Sequence, residues 1–170
     1  MLYLGIDQHA RQITVSLRDE TGDVLLARQV STQPEKINAF FQQLTRERLR
    51  NGDSFVAVLE VCGFNEWLIR MLQDYRCQKV ILIQPDDRNK RKTDRRDAAA
   101  LSELLWVNRE RLLAGKPVRG LRQVNIASTS DQENRRLTTL RRTAGQDRTR
   151  LVNKVRQILR RHYLEWQMPT

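Results

Sequence analysis

The sequence predicts an α/β fold: a mixed sheet opened by an antiparallel meander, completed by strand–helix units and followed by a long basic helix. Three observations carry that expectation. Turn-linked runs with alternating and β-branched residues fill the first thirty positions. Two later runs, "FVAVLE" and "KVILIQP", are almost wholly apolar, as strands covered on both faces are. Around them lie segments whose apolar residues recur every three or four positions, the period of a helix with one buried face.

Taken in order, "LYLGID" (Leu2–Asp7) is a short apolar run ending in an acid. "QITVSL" (Gln12–Leu17) alternates, "DETGD" turns at Gly22, and "VLLARQV" (Val24–Val30) resumes strand character. A helix follows, with Pro34 in its first turn and Ile37, Phe40, Phe41 and Leu44 on one side, stopped by "NGD" at 51–53. "SFVAVLEVCG" is a buried strand interrupted by Glu60. Trp67, Leu68, Met71, Leu72 and Tyr75 mark the next helix, and "KVILIQP" the next strand, closed by Pro85. "DDRNKRK" is a charged loop. Thr93 is placed to cap one continuous helix, "DRRDAAALSELLWVNRERLL", with Ala98–Leu101, Leu104 and Leu105 on its apolar side. Ser130 and Glu133 form a capping-box pattern at the head of a final helix running towards Tyr163.

The order β-β-β-α-β-α-β-α matches the RNase H-like (RuvC-like) arrangement. It also matches the opening of actin-like ATPase domains. The expected division is a domain over 1–114, a linker over 115–128 and a basic amphipathic helix over 129–170.

The chain has 170 residues and a net charge of +11, which argues for a polyanionic partner, nucleic acid first. The charge is uneven. From Arg88 onward there are 21 Lys and Arg against 8 Asp and Glu, so that half carries +13 while the front half carries −2. Cys62 and Cys77 have no metal-type spacing and are expected as buried free thiols. No secretory leader or membrane-length apolar run is visible, so the expected location is cytoplasmic, nucleoid-associated when active, with no membrane partner.

Four acids stand out. Asp7 and Glu60 end or interrupt strands that should be interior, and burying an ionised carboxylate costs several kcal/mol unless something pairs with it. Asp94 and Asp97 are an i,i+3 pair at the start of a helix, so they share a face. On the RNase H-like plan the first strand, the fourth strand and the last helix converge at one end of the sheet, bringing all four together. Oxygen donors alone suit Mg²⁺ or Mn²⁺, and two such ions about 4 Å apart serve phosphodiester chemistry. The helix start at Thr93 would add a positive dipole beside the pair. Each acid also has a plainer reading. Asp7 is then a strand-end turn former, Glu60 the partner of a buried Arg or Lys, and Asp94 and Asp97 first-turn acids stabilising the helix by roughly 0.3–1 kcal/mol each. The metal reading is preferred because the plainer ones require four independent coincidences. Asp19, Asp23, Asp86 and Asp87 fall in turns and are expected to be solvated.

The stretches "GIDQHARQITVSL", "LEVCGFNEWL" and "KTDRRDAAALSELL" together resemble the DEDD transposases of insertion sequences, the "IS one-ten" group that includes the pilin invertase Piv. Members show a GID strand, an E-x-x-G segment and a K-T/N-D-x-x-D-A helix. These stand here as Gly5–Asp7, Glu60–Gly63 and Lys92–Ala98, and the likeness covers roughly the first 110 residues. The resemblance implies a RuvC-like domain with Asp7, Glu60, Asp94 and Asp97 as its catalytic and metal-holding acids. It also implies a following coiled coil and a second domain with a serine nucleophile. DNA and a structured guide RNA are the implied nucleic-acid partners, and a homodimer or higher homo-oligomer the implied assembly. The chain ends at "EWQMPT", before such a serine domain, so strand exchange by this chain alone is not expected. Ser102, Ser128 and Ser130 lack a motif and none is nominated as nucleophile.

Arg88, Lys90, Arg91, Lys92, Arg95 and Arg96 flank the acids and are read as phosphate contacts, with a solvated charged loop as the alternative. Arg135, Arg136, Arg141, Arg142, Arg148 and Arg150 form a second basic stripe on the last helix. There Leu137, Ala144, Leu151 and Ile158 recur every seven residues, but Asp147, Lys154 and Arg161 occupy partner positions. A self-associating helix and an intramolecular packing helix both fit. His9 is read as a surface residue, and Trp106 and Trp166 as packing. Two other functional classes stay open: a non-catalytic RNA- or DNA-binding and oligomerising scaffold, and an actin-like ATPase half-domain. His9 stands where the ATPase's phosphate loop would want Gly.

Overall fold

The computed structural model describes residues 1–49, 53–85 and 94–162, with side chains at all of these except 85 and 94–97. Strands β1 (Leu2–Gln8), β2 (Gln12–Arg18) and β3 (Val24–Ser31) form the antiparallel meander. Helix α1 (Pro34–Arg48) leads to β4 (Phe55–Glu60), α2 (Glu66–Asp74) to β5 (Cys77–Pro85), and α3 (Asp94–Val107) and α4 (Arg109–Leu113) to β6 (Leu121–Val124). A separate unit, 126–170, contains α5 (Thr129–Arg161). The sheet order is β3-β2-β1-β4-β5-β6, with β4 and β5 parallel to β1 and β6 antiparallel to β5. This is the RNase H-like arrangement.

The sheet separates two cores by strand alternation. Leu4, Ile6, Ile13, Val15, Leu17, Phe55, Ala57 and Leu59 face α1 and α2, where Phe41, Leu68 and Leu72 are fully buried. Each such large side chain contributes about 1.5–3 kcal/mol by leaving water. Tyr3, Val56, Val58, Ile81 and Ile83 face the other way, onto Leu101 and Leu105 of α3 and Leu112 of α4. Lys79 reaches across to the carbonyl of Leu113 at 2.7 Å and so caps the end of α4.

Helix α3 lies directly on β1. A Cβ at Gly5 would stand 2.4 Å from the Ala98 carbonyl oxygen and 2.4 Å from the Ser102 nitrogen. Beside this contact the buried Ser16 and Ser102 hydroxyls bond at 2.9 Å, and Arg18 Nε donates to Ser102 at 3.1 Å. Further along, the Trp106 indole donates to the Glu20 carbonyl at 3.0 Å and covers Gly22, whose φ of 95° also demands glycine. Trp106 is therefore a packing residue. In the same turn Asp19 accepts from Thr21 and Asp23, and the Thr21 hydroxyl holds its carboxyl below the usual range.

Several expectations need correction. The helix expected from 94 to 113 is two, broken at Asn108, whose backbone (φ −104°, ψ 15°) leaves the helical region and whose side-chain amide and N–H both bond the Leu104 carbonyl, at 3.0 and 3.1 Å. Residues 115–128 hold β6, which lengthens the sheet. The last helix is capped by Ser128, not Ser130. Ser128 Oγ accepts from the Asp131 amide at 3.1 Å and donates to its carboxylate at 2.7 Å. Cys62 and Cys77 are free but only partly buried. Burial still pushes the Cys77 thiol up to about 12. Thr93, Asn51, Gly52 and Trp166 lie outside the described residues.

Gly5→Ala should cost about 3 kcal/mol, because the obstructing atoms are backbone and cannot turn aside. Urea unfolding of the variant should show the midpoint falling with an unchanged slope.

Candidate functional site

On β1, Tyr3, Gly5 and Asp7 alternate onto the α3 side; on β4, Val56, Val58 and Glu60 do the same. The parallel register pairs Ile6 with Leu59, so Asp7 and Glu60 each stand one step beyond the last pair. Adjacent strands lie about 4.8 Å apart, so the two acids emerge side by side at the carboxyl ends of the strands. Open α/β sheets form their clefts at such ends.

The strand ends leave both acids half-buried rather than interior, which lowers the desolvation cost expected from the sequence. The Asp7 side chain is 15% exposed, and its Oδ2 lies 2.9 Å from His9 Nε2. His9, expected as an ordinary surface residue, orients the first acid. Directly opposite Asp7 on β2 stands Thr14, which is buried and whose Oγ1 has no hydrogen-bond partner among the described residues. The signal for Thr14 was present in "QITVSL": polar Thr14 and Ser16 alternate with Ile13, Val15 and Leu17.

Helix α3 runs back along β1. Its Trp106 end reaches the β2–β3 turn, so its first turn lies towards the carboxyl end of β1. Asp94 and Asp97 occupy that turn, four residues before the buried Ala98 and Leu101 respectively. The backbone thus brings the four acidic positions to one end of the sheet. The side chains of Asp94, Arg95, Arg96 and Asp97 are not described, and Arg88, Lys90, Arg91 and Lys92 lie outside the described residues. Arg135, Arg136, Arg141 and Arg142 are exposed on α5, in the other unit.

The β4–α2 loop is held by two buried amides. Asn65 Nδ2 donates to Gln8 Oε1 at 2.8 Å and to the Glu60 carbonyl at 3.2 Å, while its Oδ1 accepts from the Cys62 amide at 2.6 Å. Gln8 Nε2 donates to the Phe64 carbonyl at 3.0 Å. Because Gln8 follows Asp7 in β1, one network fixes the loop to both acid-bearing strands. Neither amide was singled out from the sequence, where an Asn and a Gln 57 positions apart carry no pairing signal.

Asp7, Glu60 and the unpartnered Thr14 hydroxyl offer oxygen donors only, a set that fits Mg²⁺ or Mn²⁺. Among the described residues no three His, Cys, Asp or Glu side chains gather into a metal-holding group. No helix among them is long and apolar enough to cross a membrane.

The sequence model of a protein family, DEDD transposases of the IS110 type, described as "Transposase", matches residues 4–164. The match reaches beyond the RNase H-like unit through α5. Among curated proteins none matches the chain.

Replacing Asn65 by Ala would leave the Cys62 amide without its partner and remove the amide donor to Gln8 Oε1. Since each orphaned buried group costs about 1–3 kcal/mol, the loss should be about 2 kcal/mol, with faster hydrogen exchange at the Cys62 amide than in the native protein.

Proposed function

This chain belongs to the IS110-type DEDD transposase family, and from that premise we propose that its RNase H-like unit is the metal-dependent phosphodiester-processing part of a recombinase acting in DNA transposition. The observation that carries the reading is the convergence of Asp7, Glu60 and the first turn of α3 at the carboxyl ends of β1 and β4. Family membership also separates this reading from the ATPase alternative.

In this reading Asp7, Glu60, Asp94 and Asp97 are the catalytic acids and hold Mg²⁺ or Mn²⁺. When bound, the metal supplies Lewis-acid polarisation of the scissile phosphate and neutralises charge developing there. Asp7 and Glu60 present fixed carboxylates from rigid strands, and His9 holds one Asp7 oxygen in place. The N-terminal dipole of α3 favours the negative charge gathered at its first turn. Arg88, Lys90, Arg91, Lys92, Arg95 and Arg96 contact phosphates of DNA and of a structured guide RNA. Arg135, Arg136, Arg141 and Arg142 extend that contact along α5.

Helix α5 is the assembly element of the proposal. It spans 33 residues, none of them buried, and exposes Leu137, Leu140, Leu151, Val155 and Ile158. A helix with that much exposed apolar surface gains stability by covering it, and a second copy of the same helix supplies a matching seam.

Calorimetric titration with Mn²⁺ should show at least a tenfold loss of affinity in Asp7→Asn and in Asp94→Asn, about 1.4 kcal/mol or more. Equal affinity in the native protein and both variants would sink the acid assignment. Nucleic-acid binding without nicking of any substrate in Mg²⁺ would favour a scaffold instead. For α5, light scattering should give a dimer or larger for the native chain and a monomer for Leu151→Asp. A monomeric native chain contradicts the assembly.

A further inference from the structure

Phe64 is 43% exposed and is the only exposed aromatic among the described residues. Val61, three residues earlier in the same loop, is 44% exposed. Both sit in the β4–α2 loop that begins at Glu60. An exposed ring at a floppy tip would need no explanation. This one is held by the Phe64 carbonyl's bond to Gln8 at 3.0 Å and by the Asn65 bonds to Gln8 and the Glu60 carbonyl. Val61 is fixed too, its amide donating to the Ile83 carbonyl at 2.9 Å. Gly63, beside the ring, has open space where a side chain would stand. The fold thus holds Phe64 exposed on a hydrogen-bonded loop that follows Glu60 and is tied to Gln8, the residue after Asp7.

We propose that Phe64 is a stacking platform for an unpaired DNA base of the strand whose phosphate lies at the acids. The inference rests on the nucleic-acid reading above and deepens it. A base is the occupant the page favours. The exposed apolar surface here is one ring and one isopropyl group, far below the roughly 800 Å² that each partner buries in a stable protein interface. The chain carries +11, the net of +13 from Arg88 onward and −2 before it, so a polyanion is the ligand its field concentrates. A polyanion that also offers flat apolar faces is a nucleic-acid strand, and base–aromatic stacking is tolerant of sequence. Ordering the platform in advance lowers the entropy that binding would otherwise lose. A stacked base beside the acids also gives the strand a register, so that one phosphate rather than its neighbour is presented.

The test is fluorescence anisotropy of the full chain with single-stranded DNA oligonucleotides, in EDTA so that the metal reading plays no part. Phe64→Ala and Phe64→Leu should each weaken binding about tenfold, while Phe64→Tyr should stay within about twofold of the native chain. An abasic nucleotide walked along the oligonucleotide should cost the native chain a similar factor at one position and cost Phe64→Ala nothing extra there. Native-like affinity in Phe64→Ala and Phe64→Leu overturns the proposal. So does an abasic profile that Phe64→Ala leaves unchanged, or a native chain that binds no single strand. The two assays are read separately: failure of the acid assignment shows in the Mn²⁺ titration, and failure of the platform shows here.

Discussion

The close approach of α3 to β1 at Gly5 is the constraint on which the site depends. With no Cβ at that position, the Ala98 carbonyl and the Ser102 amide settle onto the strand backbone. The Ser16–Ser102 bond, Arg18 and the Trp106 indole then lock the helix along its length. A helix fixed at its middle and far end has its first turn fixed as well, and that turn carries Asp94 and Asp97. A side chain at Gly5 would lift the helix and move one pair of acids away from the other.

The other pair is fixed by the sheet. Parallel pairing of β1 with β4 puts Asp7 and Glu60 level, and strand alternation turns both to the α3 side. Half-burial at the strand ends is a compromise between two costs. A deeper carboxylate would face a desolvation penalty of several kcal/mol, and a fully solvated one would lack a fixed orientation. His9 orients the Asp7 carboxylate, and the Gln8–Asn65 amides tie the loop after Glu60 to β1.

Charge and stacking divide the handling of a nucleic acid in this picture. Cations attract and track the backbone over several ångströms, a distance set by screening, and read little of where along the strand they stand. A ring on a clamped loop acts only at contact and can register a strand against the acids. In the proposal the long basic helix belongs to the first kind of interaction and, through its exposed leucines, to assembly.

Local patterning made most of the elements legible. Alternation announced β2, the apolar runs announced β4 and β5, and Ile37, Phe40, Phe41 and Leu44 marked the buried side of α1, all four of them buried. The positions of Asp7 and Glu60 at the ends of such runs were likewise written in the chain, because both depend only on neighbours a few residues away. The break at Asn108, the true cap at Ser128 and the edge strand β6 were less legible. Each depends on hydrogen bonding and backbone geometry that the local apolar pattern does not show. What the sequence determined by itself was therefore the kinds of element, the uneven charge and the acids at the ends of β1 and β4. What only the tertiary structure decided was Thr14 opposite Asp7, His9 turned onto it, and Gln8 joined to Asn65 across 57 positions. Those pairings depend on strand register and on the packing of remote segments, which no local period encodes.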